Sequence, residues 1–394
     1  MHPRTIEPGI TLISSVHWER RLFDSLIPLP DGTSYNAYLV EGSEATALID
    51  ATDPALKEEL LGELNSVRNI DYVVSQHSEQ DHSGVIPDVL RRFPRAKLVC
   101  SAKGEDLMKS LLNVPEDRIQ VVQDGDTLSL GDKTLCFYYT PWVHWPETMV
   151  THVPESGVLF SCDFFGSHLA TTDLYVTDEE RVYEAAKRYY AEIMMPFRRV
   201  IQKNLEKIGQ LEFDVIAPSH GPVYNKPEFI IDAYHDWVAP EMKNEVVLPY
   251  VSMHGSTREM VVHLTDSLAK RGVTVHAFDL AVTDIGKLAI ALVDAATLIV
   301  GTPTVHVGPH PAVYYAAHLA NLLRPKLRHA AIVGSYGWNS KAVEQISALI
   351  PNLNVEVLGA FMHKGRPTEE TFAELDELAE TVANAHRKEE LVAV

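Results

Sequence analysis

The segment His77-Ser78-Glu79-Gln80-Asp81-His82 packs four potential metal ligands into six residues, directly after the apolar run Tyr72-Val73-Val74. A buried strand over 71–76 predicts that His77, Glu79 and Asp81 alternate onto one side of the emerging chain, with His82 joining them as the backbone turns. A helix is expected from near Ser83, running through Ile86, Val89 and Leu90. A strand end followed by a tight ligand-bearing turn can hold two adjacent metal ions. Two imidazoles and two carboxylates form a mixed nitrogen and oxygen donor set, which suits iron, manganese or zinc better than a thiolate-seeking metal. The bland alternative is a solvated turn rich in histidine and acid, the commoner meaning of an isolated match.

Further strand exits weigh against that alternative. His144, in Trp142-Val143-His144-Trp145-Pro146-Glu147, sits in a proline-bounded loop between expected strands over 135–139 and 148–152. Leu159-Phe160-Ser161-Cys162-Asp163 is an apolar strand ending in an acid, and Val215 to Pro222 is another, ending in Ser219-His220-Gly221-Pro222. Each is a strand followed by a ligand-type residue at its exit.

This order resembles the metallo-β-lactamase superfamily, whose pattern is H-x-H-x-D-H, then a later His, a later Asp and a final His. The departure is Glu79, where the zinc hydrolases of that superfamily have histidine. With Glu there the sequence looks like the flavodiiron proteins, which carry H-x-E-x-D-H and bind two irons. A carboxylate in place of an imidazole makes the site harder and more anionic, favouring iron over redox-inert zinc. The resemblance implies His77, Glu79 and His144 on one iron, Asp81, His82 and His220 on the other, and Asp163 bridging. It also implies a metallo-β-lactamase-like αββα sandwich.

The rest of the chain is expected to supply a flavin domain. A composition shift near 237–243 divides the 394 residues into about two domains, 1–245 and 246–394. Beyond it, apolar strands over 246–251, 273–278, 295–301, 330–334 and 355–360 alternate with helical stretches, the first over 258–270. Such alternation predicts an α/β fold with a five-stranded, doubly wound parallel sheet, the flavodoxin-like arrangement, with ligand loops at the carboxyl ends of the strands. The loop Ser252-Met253-His254-Gly255-Ser256-Thr257 offers hydroxyls and backbone N–H groups at a helix start, a cradle for the FMN phosphate. Ordinary helix capping explains the same residues. The loops Thr302-Pro303-Thr304-Val305-His306-Val307-Gly308 and Gly334-Ser335-Tyr336-Gly337-Trp338 follow the third and fourth strands, where an isoalloxazine ring is expected. The resemblance extends through these loops and so covers nearly the whole chain. It departs at His254, where many family members have Trp, and at His306 and Val307, where they have a pair of Asn. Imidazoles there either tune the flavin or are neutral replacements.

Hydrophobic residues make up 46% and charged residues 22% of the sequence, an ordinary globular composition, and no stretch reaches the length of a membrane span. The net charge of −20 argues against nucleic acid or an anionic membrane as partner. Cys100, Cys136 and Cys162 are widely spaced, which suggests neither disulfides nor a thiolate site. With no basic apolar leader over 1–9, a cytoplasmic location is the default expectation.

The resemblance further implies reduction of dioxygen to water, or of nitric oxide to N2O, with electrons passing through FMN to two non-haem irons per chain. Lacking a Cys-x-x-Cys pair, the sequence looks like the minimal two-domain form. Its electrons are therefore expected from a separate donor, rubredoxin or reduced coenzyme F420 in the family. A head-to-tail homodimer, or a dimer of such dimers, is implied because it brings the FMN of one chain to the irons of the other. Tyr190 matches a tyrosine that the family places near the irons, where it can donate a proton; a plain core residue is the alternative. Two readings from other classes remain: a zinc hydrolase with a vestigial flavodoxin domain, which leaves Glu79 without a reason, and a simple electron carrier, which leaves the ligand pattern unexplained.

Overall fold

A computed structural model describes residues 2–391. The chain divides into two compact units, one running to Tyr190 and resuming over Phe197–Val238, the other made of Ala191–Pro196 and the residues from Ala239 onward.

The first unit is built on two sheets. One has seven strands, in the spatial order Arg4–Glu7, Ile10–His17, Thr33–Glu41, Thr46–Ile49, Tyr72–Val74, Lys97–Ser101 and Ile119–Val122. The other has five: Thr127–Ser129, Thr134–Tyr139, Met149–Val153, Val158–Cys162 and Val215–Pro218. Register and side-chain alternation decide what each face meets. Leu48, Val73 and Leu98 lie side by side across three strands, and Ile49, Val74 and Val99 form the next row. The second row turns inward to Phe137, Met149, Val158 and Phe160 of the facing sheet. The first row turns outward to Leu60, Leu64, Ile86, Val89 and Met108, on the helical elements that cover the sheet. Helices over two face-to-face sheets give the expected αββα sandwich.

The second unit is a parallel sheet in the order Thr274–Asp279, Lys243–Tyr250, Ala295–Val305, His329–Tyr336 and Glu356–Lys364. Numbered along the chain this is 2-1-3-4-5, the flavodoxin-like winding, whose switch point lies between the first and third strands. Helices Ser256–Lys270 and Glu369–Lys388 bury Met260, Leu264, Leu375 and Val382 against Val246, Leu248, Ile299 and Val333 of the sheet.

Two local expectations differ from the structure. The strand before His77 covers only Tyr72–Val74, and Asp81 and His82 stand on a helical turn, Gln80–Ser83, rather than on extended chain. Helical geometry is what lets His82 come alongside Asp81 while Glu79, still extended at the helix entry, points elsewhere. The third sheet strand also runs on to Val305, through residues expected as loop, because Thr304 and Val305 pair with Pro309 and Gly308 across a two-residue turn. That turn is His306-Val307, both with positive φ (46° and 74°), the type I′ geometry that usually selects Asn-Gly.

Candidate metal centre

All seven expected metal ligands come together at one edge of the sandwich. His77, Glu79, His144 and Asp163 form one group and Asp81, His82 and His220 a second, each offering ligand atoms within 4.8 Å of one another. His77 Nε2 lies 3.2 Å from Glu79 Oε2 and 3.4 Å from Asp163 Oδ2. His144 Nε2 lies 3.1 Å and 3.5 Å from the same two oxygens. On the other side, His82 Nε2 is 2.9 Å and His220 Nε2 3.3 Å from Asp163 Oδ1, and both face Asp81 Oδ2, at 3.3 and 3.4 Å. Asp163 thus presents one oxygen to each group.

Apart from the His77 Nε2 contact with Glu79, which also has hydrogen-bond geometry, these spacings fit cations. Ligand atoms about 2.1 Å from a common ion stand about 3 Å from one another when adjacent, the separation found here. Asp81 Oδ1 and Oδ2, His82 Nε2 and Asp163 Oδ1 are buried without a hydrogen-bond partner among the described residues. The 2.9 Å approach of His82 Nε2 to Asp163 Oδ1 therefore lacks hydrogen-bond alignment, as two lone pairs aimed at a third atom would. Burial disfavours charge on these groups, yet their crowding overrides it. Bonds to Glu147 and Glu79 hold the His77 imidazolium well above the ordinary histidine range. Asp163 is held well below the carboxylate range by His82, His144 and His220. His220, beside Asp163 and Asp81, is pushed up to about 10. Such a cluster keeps positive charge in place by protons when no metal supplies it.

Outer contacts fix the rings. Glu147 Oε1 accepts from His77 Nδ1 at 2.8 Å and from the Ser78 N–H at 2.9 Å, so Nε2 is the free ligand atom. His220 Nδ1 donates to the Ser34 carbonyl at 2.8 Å, with the same result. Asp50, fully buried behind the site, accepts from both the backbone and the side chain of Gln76 and faces Ser219.

In the second unit, the helix Ser256–Lys270 starts at Gly255, with φ of 94° and no side chain of its own to cap the helix. Ser252 Oγ accepts from the Gly255 and Arg258 N–H groups, folding Met253 and His254 into a tight loop at that helix start. Thr257 Oγ1 meets Ser335 Oγ at 3.0 Å, tying the first loop to the loop after the fourth strand, and Trp338 beyond it is 82% exposed. Pro303, Thr304, Val305 and Gly308 belong to the hairpin around His306 and Val307, and Tyr336 and Gly337 to the fourth-strand exit.

Residues 33–221 match a family model described as "ODP family beta lactamase". The chain is 33% identical over 365 residues to a nitric oxide reductase of Moorella thermoacetica, covering 90% of this chain and 91% of that protein. Its fold superposes on the rubredoxin oxygen:oxidoreductase of Desulfovibrio gigas with a TM-score of 0.95 at 30% identity, covering 99% of this chain and all of the other. The flavodiiron protein of Giardia intestinalis follows at 0.92 and 27%, with 98% of both chains covered. The chain belongs to the flavodiiron family of oxidoreductases.

The structure does not bring Tyr190 to the metal centre of this flavodiiron protein. Tyr190 packs between Tyr234 and Trp237 and donates to the Trp237 carbonyl. Its neighbour Tyr189 stands at the site instead, packed on His220, and burial together with the Asp163 carboxylate holds its hydroxyl well above the ordinary tyrosine range. One step along a helix rotates a side chain by about 100°, so of two adjacent tyrosines only one can face the ligands. The sequence reading also passed over Asp50, Asp24 and His168. Asp50 carried a usable signal, since Leu48-Ile49-Asp50 is another apolar strand ending in an acid. Asp24 lies at the tip of a small hairpin, where burial together with the neighbouring Glu79 carboxylate pushes its own carboxyl up to about 6. Nothing in the local sequence marked Asp24 or His168.

Proposed function

We propose that this flavodiiron protein reduces dioxygen to water, with electrons passing through FMN to two non-haem irons. The observation that carries the reading is the divided carboxylate of Asp163, with one oxygen facing His77, Glu79 and His144 and the other facing Asp81, His82 and His220. That donor set, all nitrogen and oxygen with Glu79 among it, suits two iron ions. Two ferrous ions and a reduced FMN together supply the four electrons that take O2 to two waters. The chain's own part is positional. Glu147 and the Ser34 carbonyl hold the imidazoles in the ligating tautomer, the hydroxyl of Tyr189 holds a proton beside Asp163, and burial keeps bulk water from the site.

In the same reading the domains are 1–245 for the irons and 246–394 for the flavin. The phosphate rests on Ser252, Met253, His254, Gly255, Ser256 and Thr257, at a helix start whose dipole and leading N–H groups suit an anion. Pro303 to Gly308 and Ser335 to Trp338 hold the ring. The donor is rubredoxin or reduced F420, and a head-to-tail homodimer brings the two cofactors together. The setting is the cytoplasm, which suits three unpaired cysteines. Among the described residues no helix is long and apolar enough to cross a membrane.

The 33% identity to a protein named nitric oxide reductase keeps that activity as the second reading. Amperometric consumption of each gas by anaerobically purified protein, with reduced rubredoxin as donor and iron, zinc and FMN assayed on the same sample, decides between them. Faster O2 uptake without peroxide is the expected result. Faster NO loss transfers the assignment, and zinc in place of iron returns the hydrolase.

A further inference from the structure

A fifth imidazole stands beside the four of the seven-ligand cluster without joining it. His168 is only 4% exposed, with its ring walled by His220, Tyr189 and Phe23 at centroid distances of 4.6, 4.9 and 5.0 Å. Its nitrogens are not in either ligand group described above. Nδ1 lies 2.9 Å from Thr33 Oγ1. That hydroxyl has one other acceptor in reach, the Ser34 carbonyl at 3.4 Å, so the shorter contact directs the O–H to Nδ1 and places the ring proton on Nε2. Nε2 is buried and has no hydrogen-bond partner among the described residues. The charges whose field reaches the ring are those of His220, Asp163, His82 and Glu79, all members of the cluster.

A buried N–H is normally paired, and one left unpaired beside a ligand site marks a place where something else accepts. We propose that His168 Nε2–H donates a hydrogen bond to a small anionic or polarised ligand held at the metal pair, and so sets how tightly the site holds it. Thr33 is the positioning residue, acting through the tautomer. This inference rests on the proposed function, because it requires a metal pair in the cluster.

Azide is the probe, added to oxidised, iron-loaded holoprotein and followed by its charge-transfer absorption. His168→Phe fills the same space without a donor and is expected to weaken azide by on the order of tenfold to a hundredfold, the range for a hydrogen bond to a charged acceptor. His168→Gln restores an N–H and is expected to recover most of the affinity, with iron and FMN content unchanged in both variants. Unchanged azide affinity in an iron-loaded His168→Phe protein overturns the proposal. Should that variant not fold, the wild type still decides: the infrared stretch of bound azide is expected to shift between H2O and D2O buffers, and an unmoved band overturns the proposal. Iron content measured first separates the two readings, since protein that takes up no iron refutes the metal assignment itself.

Discussion

Removing the carboxylate of Glu147 tests whether the ligand cluster is held from outside as the geometry says. Its side chain is 2% exposed, and one oxygen, Oε1, accepts from both His77 Nδ1 and the Ser78 N–H, while Oε2 has no hydrogen-bond partner among the described residues. Glu147→Leu orphans both donors, and each buried donor left unpaired costs about 1–3 kcal/mol. Together these amount to roughly 2–6 kcal/mol, shared between folding stability and the pre-organisation of His77. Loss of such an outer partner typically weakens metal binding by about 10–100-fold, or roughly 1.4–2.7 kcal/mol. Glu147→Gln keeps a carbonyl oxygen for both donors and loses only the charge, but its amide nitrogen takes the place of the unpartnered Oε2. It is therefore expected near the lower end and Leu at the upper. The assay is retained iron per chain after dialysis against graded concentrations of a chelator, with the thermal midpoint of the apoprotein measured in parallel. A Leu variant that keeps iron as tightly as wild type refutes the claim that Glu147 fixes the His77 ligand.

Tyr189→Phe is expected to slow O2 turnover at least about tenfold at unchanged iron content, in keeping with the loss of a positioned proton donor. Tyr190→Phe is expected to leave turnover alone and cost about 1 kcal/mol of stability, the worth of its bond to the Trp237 carbonyl; the reverse pattern sinks the assignment. Val307→Gly removes a β-branched residue from φ of 74° and should stabilise the apoprotein by about 1 kcal/mol net of the entropy glycine brings; a lowered melting midpoint contradicts this. His386 is fully buried between Thr297 Oγ1 and Asn244 Oδ1, and burial, aided by His329, pushes its pKa down to about 4. The unfolded chain takes up the proton near pH 6.5 and the folded chain near 4, so stability is full above 6.5 and declines as pH falls through that window. The loss is about 3 kcal/mol at most, and roughly half that once solvent screening is allowed for. Urea unfolding at pH 7 and 4.5 should show a steeper loss in wild type than in His386→Gln, and equal slopes refute the assignment.

Much of the site was legible because its ligands follow a rule of position. His77, Asp163 and His220 each come just after an apolar strand, and alternation along a strand can be read from residue types alone. Glu79, Asp81 and His82 were legible as a spacing, although extended geometry was the wrong reason for their convergence, since a helical turn places two of them. Asp24, His168 and Tyr189 were not legible in this way. Their approach depends on how a hairpin tip and a helix face settle against the cluster, and contacts across more than a hundred positions of chain, such as Thr33 to His168, leave no local trace. The parallel sheet was legible from strand and helix alternation, but the strained hairpin at His306-Val307 was not, because its residues are those a type I′ turn normally avoids.

The charge at the cluster gives Glu79 a physical reason. Glu79, Asp81 and Asp163 supply three negative charges and the four ligand histidines, once they give up their protons to bound metal, supply none. Two ferrous ions bring +4, so 4 − 3 leaves +1 in the diferrous state and +3 in the diferric. A histidine at position 79 would raise each total by one, to +2 and +4. In a buried site the more highly charged state suffers more from added positive charge, so the carboxylate lowers the cost of the oxidised state relative to the reduced one. For zinc, which changes no charge, the same carboxylate has no such consequence. Asp24 and Asp50 lie outside the ligand groups and are both pushed up, chiefly by burial, towards their neutral forms, so the balance rests on the three ligand carboxylates. On this argument Glu79→His should raise the reduction potential of the metal pair, and a potentiometric titration that finds it unchanged or lowered would remove the electrostatic reason for Glu79.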